Sequence, residues 1–175
     1  MIALIGPGAA GKSTVGALLA ERLAVPFIDL DRRFESQAGN ISHYIDHFGY
    51  EAYARANVET YLSFCHEPGW VAALSSGFMT YPKDIHPRYE DLRRCIEDSR
   101  TTFVLLPSLD YERCLVETLR RQLERSFAKS REQEEMVIRE RFPIYASLRA
   151  RKIETMRPLT LIVGEIADAV GMRMC

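Results

Sequence analysis

Cysteine is scarce and unpaired in this sequence. Only Cys65, Cys95, Cys114 and Cys175 occur in 175 residues, and no two form a C-x-x-C. This excludes a disulfide framework and a cysteine zinc site, and predicts plain thiols in a reducing, cytoplasmic setting. Long apolar runs are missing as well. Nothing approaches the roughly eighteen residues that cross a bilayer, so no membrane partner is expected. Positive charge is not in excess: 23 Lys and Arg stand against 24 Asp and Glu, a net charge of −1. That excludes the basic footprint of a nucleic-acid binder. Internal repeats, low-complexity tracts and linker-like stretches are absent. An apolar strand pattern that starts with the first residues leaves no room for a signal peptide.

What is present has the composition of one globular domain over residues 1–175, with 47% hydrophobic and 27% charged residues. The charge is unevenly placed. Arg113 to Lys152 holds eleven Lys and Arg against six Asp and Glu. Such a basic stretch provides either anion contacts or solvated helix faces.

The chemistry begins in Met1–Leu23, MIALIGPGAAGKSTVGALLAERL. Ile2 to Ile5 suit one buried strand. Gly6-Pro-Gly-Ala-Ala-Gly11-Lys12-Ser13 then fits G-x-x-x-x-G-K-S/T, and Val15, Leu18, Leu19 and Leu23 follow at helical spacing. Strand, glycine loop and helix are the context of a phosphate-binding P-loop. Gly6, Gly8, Ala9, Ala10 and Gly11 bring backbone N–H groups close to a phosphate chain, and the helix N-terminus adds partial positive charge. Lys12 reaches the β- and γ-phosphates, Ser13 holds Mg2+, and Thr14 belongs to the same nucleotide-binding set. ATP and Mg2+ are the expected cofactors.

Val25–Asp29, Trp70–Leu74, Thr102–Leu106 and Lys152–Thr155 read as further strands between helical patterns. Helices before Gly39-Asn40 and Gly49 are short. One helix is expected over Tyr89–Asp98, and another presents Leu115, Val116, Leu119 and Leu123 on one face. Residues 126–130 interrupt the apolar rhythm and form either a flap over the nucleotide or a helix connection. A charged helix runs from Arg131 toward Arg141. Pro143 either kinks it or opens a new helix, which would set Arg141 beside an N-terminus. Ile162, Ile166, Ala169 and Val170 mark a closing amphipathic helix. The alternation predicts an α/β fold of three layers, α/β/α, around a five-stranded parallel sheet. Ligands in such sheets lie beyond the strand carboxyl ends, where the P-loop, Asp29/Asp31 and Ser75/Ser76 fall.

GPGAAGKST, then PFIDLD, then Phe34, Glu35 and Gly39 resemble the shikimate kinases among the P-loop small-molecule and nucleoside monophosphate kinases. Arg141-Phe-Pro143-Ile-Tyr145 is similar to that family's R-x-P-L-Y. The resemblance implies a P-loop kinase with acceptor-binding helices over about 31–65 and a helical lid over about 120–141. It implies ATP-dependent phosphorylation of a hydroxyl on a small polar metabolite, shikimate or a similar hydroxylated carboxylate. A monomer or weak dimer is expected. Asp31 would meet the acceptor hydroxyl and orient or deprotonate it, or else serve only as a helix N-cap. Asp29 would help to place Mg2+. Arg125 would be the lid arginine that neutralises the transferring phosphoryl group. Arg121, or Arg120, would stack on adenine or else lie on a solvated helix face. Arg141 would pair with an acceptor carboxylate or form a surface salt bridge. Ser76 and Gly77 would line the acceptor.

The acceptor side departs from the family pattern. The family's G-E-x-x-F-R reads here Gly49-Tyr50-Glu51-Ala52-Tyr53-Ala54, with Arg55 following, so Ala54 stands where the family has an arginine that clamps the substrate carboxylate. Arg55 lies about 100° further round a helix and takes over only if the register shifts. The family's glycine triplet is Ser75-Ser76-Gly77, with two added hydroxyls. Two further readings stay open. One is a kinase for a nucleotide, sugar or sugar acid. Gluconate is disfavoured there, because no His-Pro acceptor segment follows the D-x-D. The other is a nucleotide-binding module without catalysis.

Overall fold

The computed structural model describes residues 1–124 and 130–171. Within them the chain runs β1 (Ile2–Ile5), α1 (Lys12–Leu23), β2 (Phe27–Asp29), α2 (Leu30–Ala38), α3 (Ile41–Phe48) and α4 (Tyr50–Leu62). It continues through β3 (Val71–Ala73), a 3-10 turn at Phe78–Thr80, α5 (Tyr89–Asp98), β4 (Thr102–Leu106), α6 (Tyr111–Leu123), α7 (Arg131–Ser147), β5 (Arg151–Glu154) and α8 (Leu159–Gly171). The strands form one sheet in the order β2-β3-β1-β4-β5, with every pairing parallel. The strand that feeds the glycine loop is therefore central.

Period-two alternation divides the strand side chains between two cores. Phe103 and Leu105 of β4 join Ile2 and Leu4 on the face covered by α1 and α8, through Val15, Leu19, Ile162 and Ile166. Val104 and Leu106 join Ile28 and Ala72 on the other face, under Val58 and Tyr61 of α4 and Ile96 of α5. Both faces are apolar, so the strands read as continuous hydrophobic runs and the sheet is covered on both sides. This is the expected α/β/α arrangement with five parallel strands.

Three local expectations need correction. The face of α6 is narrower than expected: Leu115 and Leu119 pack on Ile138 of α7, but Val116 and Leu123 are 67% and 41% exposed. Val116 sits one step of about 100° off the buried line. No new helix opens at Pro143, which lies inside a continuous α7, so Arg141 does not flank an N-terminus. Pro143 removes the helical donor to the Arg139 carbonyl on an exposed face of the helix, where both residues are exposed, while Phe142 and Tyr145 stay anchored in the core. The strands at Val25 and Trp70 begin two residues and one residue later than expected, respectively.

Candidate active site

The glycine loop owes its shape to β4 beside it. Gly6 has φ +148, and a Cβ there would lie 2.2 Å from the Leu105 carbonyl oxygen. Only glycine fits. Ala9 adopts a left-handed φ of 54, a costly conformation that persists only where neighbours hold it. Arg121 supplies that hold. Its Nη1 donates to the Ala9 carbonyl at 3.2 Å and to Thr155 Oγ1 at 3.2 Å, and its Nη2 donates to the Thr155 carbonyl at 3.2 Å. Arg120, by contrast, pairs on the surface with Glu117 and Glu124.

Gly11 precedes α1 with no side-chain cap. The first-turn N–H groups of α1 therefore point toward whatever anion occupies the loop. Lys12 Nζ donates to the Gly6 and Pro7 carbonyls, each at 2.8 Å.

The strand carboxyl ends bring the two aspartates to the same place. Asp29, the last residue of β2, caps α2: its Oδ1 accepts from Asp31 N at 3.1 Å and Arg32 N at 3.3 Å. Its Oδ2 accepts from Ser13 Oγ at 2.5 Å. Asp31 is thus not the cap. Its side chain turns into the cleft, where Oδ1 accepts from Ser75 Oγ at 2.5 Å and from Tyr53 OH at 3.3 Å. Burial pushes the Asp31 carboxyl above the ordinary aspartate value, against the downward pull of the Ser75 hydrogen bond and Lys12. Loop residues 8–14 line one cleft with Asp29, Asp31, Ser76 and Gln122.

Arg141 reaches the rim of that cleft from α7. Its Nη1 donates to Ser76 Oγ at 3.0 Å and its Nη2 to Tyr50 OH at 3.1 Å. Tyr145, one turn on, donates to the Ser76 carbonyl at 2.9 Å. Gly77 is crowded: a Cβ would stand 2.5 Å from Tyr50 OH and 3.1 Å from Arg141 Nη2. Burial raises the Tyr50 phenol, with Arg141 opposing it.

The family model for shikimate kinase matches residues 8–170. The chain belongs to the shikimate kinase family. It is 30% identical to the shikimate kinase of Buchnera aphidicola subsp. Schizaphis graminum over 158 residues, 88% of this chain and 86% of that protein. It is 37% identical to the shikimate kinase of Pseudomonas savastanoi pv. phaseolicola over 75 residues, which spans only 44% of that relative. Among solved structures, shikimate kinase from Acinetobacter baumannii in complex with shikimate superposes with a TM-score of 0.75 at 22% identity, covering 98% of this chain and 92% of that one. Both chains therefore share the P-loop kinase fold.

Set beside the shikimate kinase pattern, the departures take a definite shape. Ala54 is fully buried in the core. Arg55 turns to solvent and pairs with Glu51 at 3.3 Å, so the fold does not bring it to the cleft. Helical register explains why: Arg55 lies about 100° round α4 from the buried face. Two contributors carried no motif signal in the sequence: Tyr50, which meets Arg141, and Tyr53, whose hydroxyl stands where the family has phenylalanine. Arg125 lies outside the described residues, as do 126–129 of the expected flap. Ser13 and Asp29 set a hydroxyl and a carboxylate side by side at a strand end. This hard-oxygen pair fits Mg2+, which takes few protein ligands and completes its shell with phosphate and water.

Proposed function

We propose that the protein transfers the γ-phosphoryl group of ATP to a hydroxyl of shikimate or of a closely similar hydroxylated carboxylate. The supporting observation is that one cleft joins loop 8–14, Asp29 and Asp31, with Arg141 tied to its rim through Ser76. In this reading the loop N–H groups and Lys12 bind the phosphate chain, and Lys12 exchanges the Gly6 and Pro7 carbonyls for phosphate oxygens. Gly6, Gly8, Ala9, Ala10, Gly11, Ser13 and Thr14 form the cradle, with Arg121 behind it. Ser13 and Asp29 hold Mg2+, which when bound supplies charge neutralisation on the phosphates.

Asp31 orients the acceptor hydroxyl and takes its proton as the oxygen bonds to the γ-phosphorus and the bond to the bridging oxygen breaks. Arg141, with Tyr50, Ser76 and Gly77 around it, receives the acceptor carboxylate. Residues 31–65 serve as acceptor-binding helices and 120–141 as a lid, with Arg125 completing the charge neutralisation. The protein works in the cytoplasm as a monomer or weak dimer. Among the described residues no helix is long and apolar enough to cross a membrane.

The buried Ala54 and the outward Arg55 favour one further reading, a different hydroxylated acid as acceptor. The deciding experiment measures ATP consumption against a panel of hydroxy acids, sugars and nucleoside monophosphates, shikimate first. Turnover confined to shikimate or related acids supports the proposal. Turnover of a nucleotide or sugar instead, or of nothing, overturns it.

A further inference from the structure

Asp31 receives two hydroxyl donors, and both fall on the same oxygen. Ser75 Oγ and Tyr53 OH donate to Oδ1 at 2.5 and 3.3 Å. Among the described residues no hydrogen bond reaches Oδ2. Neither donor is free to wander. Ser75 is 2% exposed, and its carbonyl is tied into the following turn by Phe78 N at 3.0 Å. Tyr53 is 6% exposed, and its ring stands edge-on to Phe34 at 5.1 Å. Both hydroxyls are additions to the family pattern, which has glycine and phenylalanine at these positions.

A carboxylate has two chemically equivalent oxygens and rotates about its single bond unless something distinguishes them. Two fixed donors on Oδ1 stop that rotation and use up its lone pairs, while Oδ2 keeps its own. We infer that Ser75 and Tyr53 are positioning residues for phosphoryl transfer, which occupy Oδ1 of Asp31 and commit Oδ2 to the acceptor hydroxyl. The inference rests on the reading that Asp31 meets that hydroxyl. It assigns the two residues to orientation of the reacting group, not to contact with the acceptor.

The test compares the wild-type protein with Ser75→Ala, Ser75→Thr, Tyr53→Phe, the Ser75→Ala/Tyr53→Phe double variant and Asp31→Asn, using ATP, magnesium and shikimate. Loss of a short, charge-assisted hydrogen bond lowers kcat about tenfold in Ser75→Ala, and less in Tyr53→Phe, whose bond is longer. KM for ATP stays within about twofold, Ser75→Thr recovers most of the rate, and the double variant loses more than the product of the singles. Wild-type or raised kcat in Ser75→Ala overturns the inference, as does a loss that appears only in KM for shikimate. Asp31→Asn separates the two claims. If it turns over normally, the role of Asp31 itself fails. If it is inactive while Ser75→Ala is unimpaired, only the positioning fails.

A second readout needs no turnover. The Asp31 carboxylate stretching bands, isolated as the infrared difference between wild type and Asp31→Asn, shift in Ser75→Ala. Unshifted bands overturn the inference even where shikimate is not the acceptor.

Discussion

Asp29 caps the helix that carries Asp31. One carboxylate oxygen accepts from Asp31 N at 3.1 Å, and the other accepts from Ser13 at 2.5 Å. The same side chain thus fixes where Asp31 begins its turn and where the P-loop hydroxyl points. The P-loop side and the Asp31 side of the cleft share one residue as their common reference.

That double use separates two substitutions at position 29. Asp29→Ala removes the cap and destabilises the fold by about 1 kcal/mol. Asp29→Asn keeps an oxygen for the cap and stays near wild-type stability, but its amide no longer accepts from Ser13. Urea unfolding reports the first effect. Magnesium dependence of ATP turnover reports the second, with a raised magnesium requirement expected for both variants.

Lys12→Ala abolishes ATP-dependent phosphoryl transfer. The ammonium is held over the loop by the Gly6 and Pro7 carbonyls, and no other residue from Gly6 to Ser13 carries a positive side chain. Retained ATP consumption with shikimate would sink the P-loop assignment.

At the rim, Arg141→Lys keeps the charge but loses the fork that reaches Ser76 and Tyr50 together. The KM for shikimate rises about tenfold, with kcat far less affected. Arg55→Ala, on the solvent side of α4, leaves that KM within about twofold. An equal loss in Arg55→Ala would restore Arg55 as the clamp.

Glu117 lies between Arg120 and Arg121, whose hydrogen bonds hold its carboxyl down from 4.5 to about 2. A depressed folded value means that the native state favours the ionised form. The stabilisation is full above pH 4.5 and disappears as pH falls toward about 2. Glu117→Gln lacks it at every pH. Urea unfolding of both proteins shows their largest gap at neutral pH, and the gap closes across this acid window.

The donor half was legible in the sequence because it is local. Gly6 to Ser13 is a continuous motif whose spacing and flanking strand and helix state its shape, and β1, α1 and β4 lie where periodicity places them. The side of the cleft facing the P-loop is built from residues far apart in the chain. The Ser75–Asp31 contact spans 44 positions and the Arg141–Tyr50 contact 91, so no window of sequence contains either pair. Asp31 is a case in between. Its place in D-x-D was readable, but whether it capped the helix depended on which of two aspartates faced the helix N-terminus, a matter of backbone direction at Asp29. Pro143 misled for a related reason. Its local cost is real, but its place on an exposed helix face and the burial of Phe142 and Tyr145 outweigh it.

Arg121 has a consequence for nucleotide binding. It ties the left-handed Ala9 carbonyl to Thr155, just past β5. The loop therefore meets its ligand already folded, and binding spends little free energy on immobilising it. Calorimetric titration of ATP into the wild type is accordingly expected to show a small entropic penalty. Arg121→Ala lets the loop fluctuate before binding, which raises that penalty without removing a phosphate ligand.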